Sequence, residues 1–437
     1  MNISYNWLRE FLKLEHSVED TAEILTELGL EVEGISKFES IKGGLDGVVI
    51  GKVKTCKKHP NADRLKLTTV DIGNDKEVQI VCGAPNVDSN QTVAVATVGA
   101  RLFSDGEVWT INKSKIRGEE SNGMICAEDE LNLGNSNEGI MVLDNKHKAG
   151  TPLSKIFKIE NDFILEISLT PNRSDAISHY GVARDLRAGL LQRGEKIELI
   201  KPSATDFIVD KKSANIKIQV DQNQFAPRYC GIVIDNIKIE QSPEWLINKL
   251  SSIGVSPINN IVDITNYILH DIGQPLHAFD YDKITQNKIS VKTLKNGTKF
   301  TALDGIEREL TENDLMICDG NKPLCLAGIY GGLNSGVTEK TTSIFLESAF
   351  FDPVNIRRSS KYHKLNTDAS YRFERGVDPN TTVLALKKAC ILIKETCKEA
   401  MIASDIIDIY PKKIEEKQII IRFDNIENLI GEKIETE

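Results

Sequence analysis

Residues 260–280, NIVDITNYILHDIGQPLHAFD, gather side chains that can do chemistry: Thr265 and Asn266, then His277 two residues after Pro275. An imidazole is the side chain best suited to move or place a proton near neutral pH. Farther along, Glu347 interrupts the apolar run FLESAFF at 345–351. A carboxylate in such a strand is costly to bury without a partner, so it needs either a partner or a task. Between them AGIYGG, at 327–332, places Gly328, Gly331 and Gly332 in a bend. That bend lacks the Lys-Ser/Thr of a phosphate loop and reads as a point of close backbone approach. Thr367 and Ala369 open a third segment, TDASYRFERG, at 367–376. There is no Ser–His–Asp set and no ligand spacing that suits a metal, so no metal ligand is assigned. A lone histidine is more often structural than catalytic, and the residues alone leave that choice open.

A second kind of chemistry belongs to residues 48–73, VVIGKVKTCKKHPNADRLKLTTVDIG. The stretch alternates like a strand, breaks at a basic, turn-rich bend from Lys57 to Arg64, and resumes alternation. A hairpin basic at its bend suits phosphate contacts better than a catalytic pocket. Basic residues also bunch at Lys113, Lys115 and Arg117, and again at Arg357, Arg358, Lys361, Lys364, Arg372 and Arg375. The net charge of −10 over 437 residues excludes a bulk nucleic-acid coat but not binding by one face.

These residues need elements to hold them. The length implies two to four domains. Two short helices are predicted in the first 30 residues, the first with a Trp7, Leu8, Phe11 and Leu12 stripe, the second capped by Ser17-x-x-Asp20 and stopped by Gly29. From 40 to 151 short β-rich runs alternate with Gly, Asn, Asp and Pro, a pattern that fits a small Greek-key barrel of the oligonucleotide-binding (OB) type. Residues 152–200 turn helical again, with TPNRSD at 170–175 supplying a helix cap. The barrel therefore reads as an insertion into a helical N-terminal domain made of 1–39 and 152–200. After a Lys-rich linker, a mixed α/β domain spans 210–400. It opens with a helix for which Ser242-Pro243 is the cap pair, contains a helix ending near Gly273, and leaves His277 in a turn. Residues 401–437 read as the incomplete start of a further domain that stops inside a helix, so the sequence is expected to be part of a longer chain. The fold class expected is thus a multidomain α+β protein. No apolar run reaches the ~18 residues of a membrane span, and eight scattered cysteines without a C-x-x-C pair fit a reducing cytoplasm.

HPNADRL, CGAPN and SNGMICA, within residues 59–127, together resemble the tRNA-binding OB module attached to several aminoacyl-tRNA synthetases. SPEWL, VDITNY, GQPLHAFD, AGIYGG, LESAFF and TDASYRFERGVDP, in that order, resemble the editing domain of the bacterial phenylalanyl-tRNA synthetase β subunit, and the resemblance spans nearly the whole chain. RFERG is similar to a class II synthetase motif, but the surrounding order fits the editing domain.

The resemblance implies a subunit of phenylalanine–tRNA ligase, working with ATP and Mg²⁺ in an α₂β₂ assembly whose α subunit holds the ligation site. It also implies tRNA(Phe) binding and hydrolysis of mischarged Tyr-tRNA(Phe). Glu347 would bind the tyrosine hydroxyl, and His277 would lie near the ester with Thr265 and Asn266 beside it. Pro275, Gly331, Thr367 and Ala369 would shape the pocket. In the barrel, Lys57, Lys58, His59, Asn61, Arg64, Lys66, Arg117 and Ser121 would contact RNA. The physical case is sound: an apolar pocket rejects an added hydroxyl only ~10²-fold, whereas a site built to bind that hydroxyl rejects its absence ~10⁴-fold. A different class of function is a non-catalytic tRNA-binding and assembly scaffold with a dead pocket. A third, an RNA chaperone built around the barrel, is disfavoured by the large ordered region that follows.

Overall fold

A computed structural model describes residues 1–435 other than Asp75, Asp105, Gly106, Asn135 and Asn321. The chain forms two compact units.

The first unit comprises Met1–Thr170, Ser178–Lys201 and Ser242–Ile258. Its N-terminal part is not purely helical, as the sequence had suggested. Asn161–Ser168 runs between Asn2–Ser4 and Glu31–Glu39 in a three-stranded antiparallel sheet. The strand Glu31–Glu39 is largely exposed and polar, a sheet edge without the apolar alternation that marks a strand in a sequence. The two predicted helices are present as Tyr5–Phe11 and Val18–Glu27. Ser4 and Ser17 cap them by accepting the backbone N–H of Trp7 and Asp20 at 3.0 and 3.1 Å. Helix His179–Gln192 is capped by Ser178, not by the TPNRSD turn.

The chain leaves the small sheet at Ser40 and returns at Glu160. These two residues exchange hydrogen bonds, Ser40 N–H to the Glu160 carbonyl and Glu160 N–H to Ser40 Oγ, each at 2.9 Å. Between them lies a curved sheet in the order Met124–Ile125, Thr92–Ala96, Val48–His59, Ala62–Asp71, Val78–Cys82, with Val142–Leu143 also paired to Thr92–Ala96. The N–H groups of Asn122 and Val81 bond the Gln79 carbonyl and Ser121 Oγ across the remaining gap, so the barrel is nearly closed.

Helix Glu244–Ser252 also belongs to this unit and not to the domain predicted over 210–400. Asn248 Nδ2 donates to Glu160 (3.2 Å), Lys249 pairs with Glu10, and Asn2 Nδ2 donates to the Ile253 carbonyl (3.1 Å). Pro243 itself occupies the N-cap position, one residue later than Ser242-Pro243 had implied.

The second unit comprises Pro171–Ile177, Pro202–Gln241 and Asn259–Glu437. Its core lies between two sheets. One has the order Leu276–Asp280, Ser343–Phe350, Arg228–Asp235, Met401–Ile402, with Ile407–Ile409 also on Arg228–Asp235. The other runs Lys217–Val220, Lys288–Thr293, Leu315–Asp319, Lys322–Leu326, Tyr330–Gly331. Tyr229, Val233, Phe279, Phe345 and Ala349 of the first sheet share an apolar cluster with Ile289, Val291, Ile317 and Leu326 of the second. Helix Thr381–Thr396 packs on Arg228–Asp235, Ser343–Phe350 and helix Asn260–Ile272. Ser343–Phe350 is buried on both faces, which is why its sequence is a near-continuous apolar run.

Two boundaries differ from the sequence expectation. Residues 401–409 complete the central sheet and do not begin a new domain. The last helix, Phe423–Ile430, ends at Gly431 in the left-handed conformation, so it is capped. No described helix is long and apolar enough to cross a membrane.

Gly231, directly opposite Glu347, keeps the central sheet close-packed: a Cβ there would lie 2.2 Å from Phe345 Cζ. Gly231→Ala should therefore lower the urea unfolding midpoint, at a cost of about 1–3 kcal/mol. An unchanged midpoint would show that Phe345 has room to move.

Candidate active site and candidate RNA-binding edge

Glu347 lies at the middle of the central strand, and His277 is its register partner on the neighbouring strand Leu276–Asp280. His277 is thus strand-borne and not in a turn, because Gln274 ends the loop early. Its buried side-chain amide donates to the Ala349 carbonyl at 2.9 Å and to the Pro275 carbonyl at 3.1 Å. Helix Asn260–Ile272 is capped by Asn259 and stopped by Gly273 in the left-handed conformation, and it delivers Thr265 and Asn266. Thr367 caps helix Asp368–Phe373, accepting the Ser370 N–H at 3.1 Å and donating to the Ile329 carbonyl at 2.9 Å. That hydroxyl therefore staples the short helix to the glycine-rich bend.

These elements enclose a cavity of about 280 Å³ lined by Thr265, Asn266, Pro275, His277, Gly331, Glu347, Thr367 and Ala369. All eight residues named from the sequence for this site meet there. The volume is at the small end for ligand cavities (roughly 300–1,000 Å³), suited to one amino-acid side chain. Leu269, Leu303, Cys325, Tyr330, Asp368 and Phe373 also line the wall, and none of these was assigned to the site from the sequence. Gly331 matters for a steric reason: a Cβ there would lie 3.0 Å from both His277 Cε1 and Leu303 Cδ1.

Of the titratable groups lining the cavity, the register partners Glu347 and His277 are both moved by burial. Desolvation pushes the Glu347 carboxyl from its ordinary 4.5 up to about 8, against the opposing effect of a hydrogen bond donated by Tyr229 (2.6 Å). Desolvation alone brings His277 from 6.5 down to about 4. The His277 ring stands edge-on to Phe279, its centroid 4.5 Å away, and Nε2 is enclosed with no hydrogen-bond partner. Both groups are therefore predominantly uncharged at neutral pH. Such an orphaned ring nitrogen beside a cavity is a place for a water molecule or a polar substrate atom.

The barrel residues divide differently. His59 Nδ1 accepts the Asn61 N–H (3.0 Å) and Nε2 bonds the Ile116 carbonyl (3.2 Å), so the ring is consumed inside the fold. Ser121 is buried, accepting from Val81 N and donating to the Gly123 carbonyl, each at 3.1 Å. Lys66 is turned onto the carbonyls of Pro85 and Val87. These three contribute to the barrel's structure rather than to its free surface. Lys57, Lys58, Asn61, Arg64 and Arg117 are exposed. Asn61 Nδ2 donates to the Arg117 carbonyl at 3.3 Å, bringing the bend against the hairpin formed by Ser114–Ile116 and Glu119–Ser121. Arg117 and Gly118 turn that hairpin with φ of 52° and 100°, as a two-residue type I′ turn requires. Two basic turns thus form one edge. In the third basic bunch Arg372 is enclosed and bonded to the carbonyls of Ile177 and Asp368, whereas Arg357, Arg358, Lys361 and Lys364 are exposed. A larger cavity in the barrel, about 630 Å³, is lined by Trp109, Glu130 and Glu138 but by no Lys or Arg among the described residues, and so does not suit phosphate.

Residues 48–152 match a family model described as "Putative tRNA binding domain", and residues 225–398 match one described as "B3/4 domain". The barrel and the cavity-bearing domain thus each fall within a segment that a family model matches. Over its full length the chain is 49% identical to the phenylalanine–tRNA ligase beta subunit of Bacteroides fragilis, covering 53% of that protein. It is 50% identical to the Porphyromonas gingivalis protein of the same name and 42% identical to that of Salinibacter ruber, again covering all of this chain and 53% of each relative. Its strong relatives are thus phenylalanine–tRNA ligase β subunits, and the chain spans about half the length of the curated relatives it matches.

The raised carboxyl makes a testable linkage. The folded chain holds the Glu347 proton more tightly than the unfolded chain, so its effect on stability is absent below the ordinary value of 4.5 and destabilises progressively as pH rises to about 8. Glu347→Gln removes that loss, whereas the opposite contribution of His277 is common to both proteins and cancels. The urea midpoint of the Gln variant minus that of wild type should grow between pH 5 and pH 8. A pH-independent difference would show that the carboxyl titrates normally.

Proposed function

We propose that the cavity is a hydrolytic editing site for tyrosine misattached to tRNA(Phe), and that the barrel edge holds part of that tRNA. The observation that carries this reading is Glu347, a carboxyl held in an apolar wall opposite His277, with His277 Nε2 left without a partner. In an apolar slot the carboxyl meets the phenolic hydroxyl of a tyrosyl group. A phenylalanyl group leaves the same carboxyl unmatched, which discriminates against the cognate amino acid.

Hydrolysis forms a bond from the water oxygen to the ester carbonyl carbon and breaks the bond from that carbon to the ribose oxygen. The departing ribose oxygen takes the proton that the water loses. An imidazole brought down to about 4 is a poor general base at neutral pH, so His277 positions the water through Nε2 and is not the group that strips its proton. Asn266, whose side chain makes no hydrogen bond among the described residues, is free to bind the ester or the terminal ribose.

Ligation of phenylalanine with ATP belongs, on this reading, to an α₂β₂ enzyme in the cytoplasm whose α subunit carries the synthetic site. Among the described residues, no group of three or more His, Cys, Asp or Glu is placed to hold a metal ion. No step assigned to this chain runs through Mg²⁺, and none of its residues is offered as a ligand.

Two experiments test the reading. In the assembled enzyme, His277→Ala and Glu347→Ala should each slow Tyr-tRNA(Phe) deacylation by at least roughly ten-fold, the scale of one lost buried hydrogen bond, while phenylalanylation is maintained. Undiminished deacylation would refute the assignment. For the barrel, Lys57→Glu with Lys58→Glu should weaken tRNA binding and flatten the plot of log affinity against log salt by about one to two units. Ser121→Ala should leave that slope alone while lowering stability.

A further inference from the structure

Tyr229 enters neither the sequence reading nor the mechanism above. It lies on Arg228–Asp235 two residues before Gly231, the register partner of Glu347, and so projects from the same face of the sheet. Its side chain is wholly buried and its ring packs near Phe351, with centroids 6.5 Å apart. Its hydroxyl donates to Glu347 Oε2 at 2.6 Å, the one hydrogen bond that the Glu347 side chain makes among the described residues. No cation pairs with Glu347 there. The second oxygen, Oε1, has no hydrogen-bond partner among the described residues and is not sealed off, because Glu347 lines the cavity.

We infer that Tyr229 is the specificity-determining positioning residue of this site: by pinning Oε2 it fixes the Glu347 carboxyl so that Oε1 is presented to the phenolic hydroxyl of the bound tyrosyl group. The inference rests on the editing reading. A glutamate side chain has three rotatable bonds, and one without an anchor spreads over several rotamers, each losing the aim. A phenol anchored by a large buried ring restrains the carboxyl without adding the charge that a Lys or Arg anchor would bring. It leaves one carboxyl oxygen saturated and the other open, so a single additional hydroxyl completes the set.

A merely structural role, a buried phenol in need of an acceptor, predicts a different outcome on removing the hydroxyl: a loss of stability that affects every substrate alike. The test uses Tyr229→Phe in the full-length β subunit assembled with its α partner, with kcat and KM measured for deacylation of Tyr-tRNA(Phe) and Phe-tRNA(Phe). The expected result is a fall of roughly ten-fold in kcat/KM on the tyrosyl ester, the scale of one lost hydrogen bond to a carboxyl group. The fall should lie mainly in KM, with the slow rate on the phenylalanyl ester unchanged. In a Glu347→Gln background the same substitution should add little, because the two side chains act as one unit. Replacing Tyr229 by 3-fluorotyrosine, which keeps the hydroxyl and alters only its donor strength, should change the Tyr/Phe ratio even if the Phe variant does not fold. An unchanged Tyr/Phe ratio in either variant, equal losses on both esters, or additive losses in the double variant would overturn the role of Tyr229 and leave the editing reading standing. Failure of the wild-type enzyme to deacylate Tyr-tRNA(Phe) would overturn both.

Discussion

A carboxyl group stands at the centre of the main sheet of the second unit, in a strand buried on both faces, and its only hydrogen bond among the described residues comes from a neutral phenol. Removing an ionised carboxylate from water is expensive, and the chain limits that expense by letting the group keep its proton to about pH 8. The surrounding architecture accommodates this one group. Phe345 and Ala349 share its face of the strand, Phe279 stands beside His277, and Tyr229 reaches across from the adjacent strand. Gly231 is bare so that Phe345 can lie over it, and Gly331 is bare so that His277 can approach. With no ion pair to Glu347 or His277 among the described residues, the position of these two groups is set by packing and strand register.

That constraint explains why the walls come from segments far apart in sequence and are held by different means. The rigid parts, Glu347 and His277, are on paired strands whose register fixes their mutual position. The remaining wall comes from ends of elements: the last turns of helix Asn260–Ile272, the bend at 328–331, and the capped start of helix Asp368–Phe373. Thr367 connects two of these through its single hydroxyl. A fixed pair of polar groups with a wall of element termini is an arrangement that favours shape selection over strong chemistry, as the depressed basicity of His277 also implies.

Legibility in the sequence followed whether a residue's environment is local. Glu347 could be read because a carboxylate amid FLESAFF is anomalous on its face, whereas Thr265 and Asn266 were tied to the site only through the family resemblance. The barrel's strands were readable from alternation and turn residues. Tyr229 was not: RYCGIVID reads as an ordinary buried strand, and the acceptor of its hydroxyl lies 118 residues away. His59, Lys66 and Ser121 misled for the complementary reason, since their polar atoms look available in sequence yet are spent on carbonyls and amides of neighbouring turns. The N-terminal sheet was missed because its edge strand is polar. Helix Glu244–Ser252 was assigned to the wrong unit because adjacency in sequence outweighed hydrogen bonds to Asn2 and Glu160 that span more than 80 residues.

The two units treat charge in opposite ways, and the contrast follows from what each proposed ligand presents. Phosphates are always charged and solvated, so an exposed edge carrying Lys57, Lys58, Arg64 and Arg117 serves them even on a chain of net charge −10. A phenolic hydroxyl is neutral, and water competes for it effectively at any exposed position. Only a dry, nearly uncharged recess gives one hydroxyl enough weight to separate two amino acids that differ by that group alone. In such a recess an unmatched carboxyl oxygen carries a penalty of about 1–3 kcal/mol, and a filled one carries none. The expense of burying Glu347 is therefore the same quantity that, on the proposed reading, supplies the selectivity: a carboxyl comfortable in water would accept the tyrosyl group and its absence almost equally.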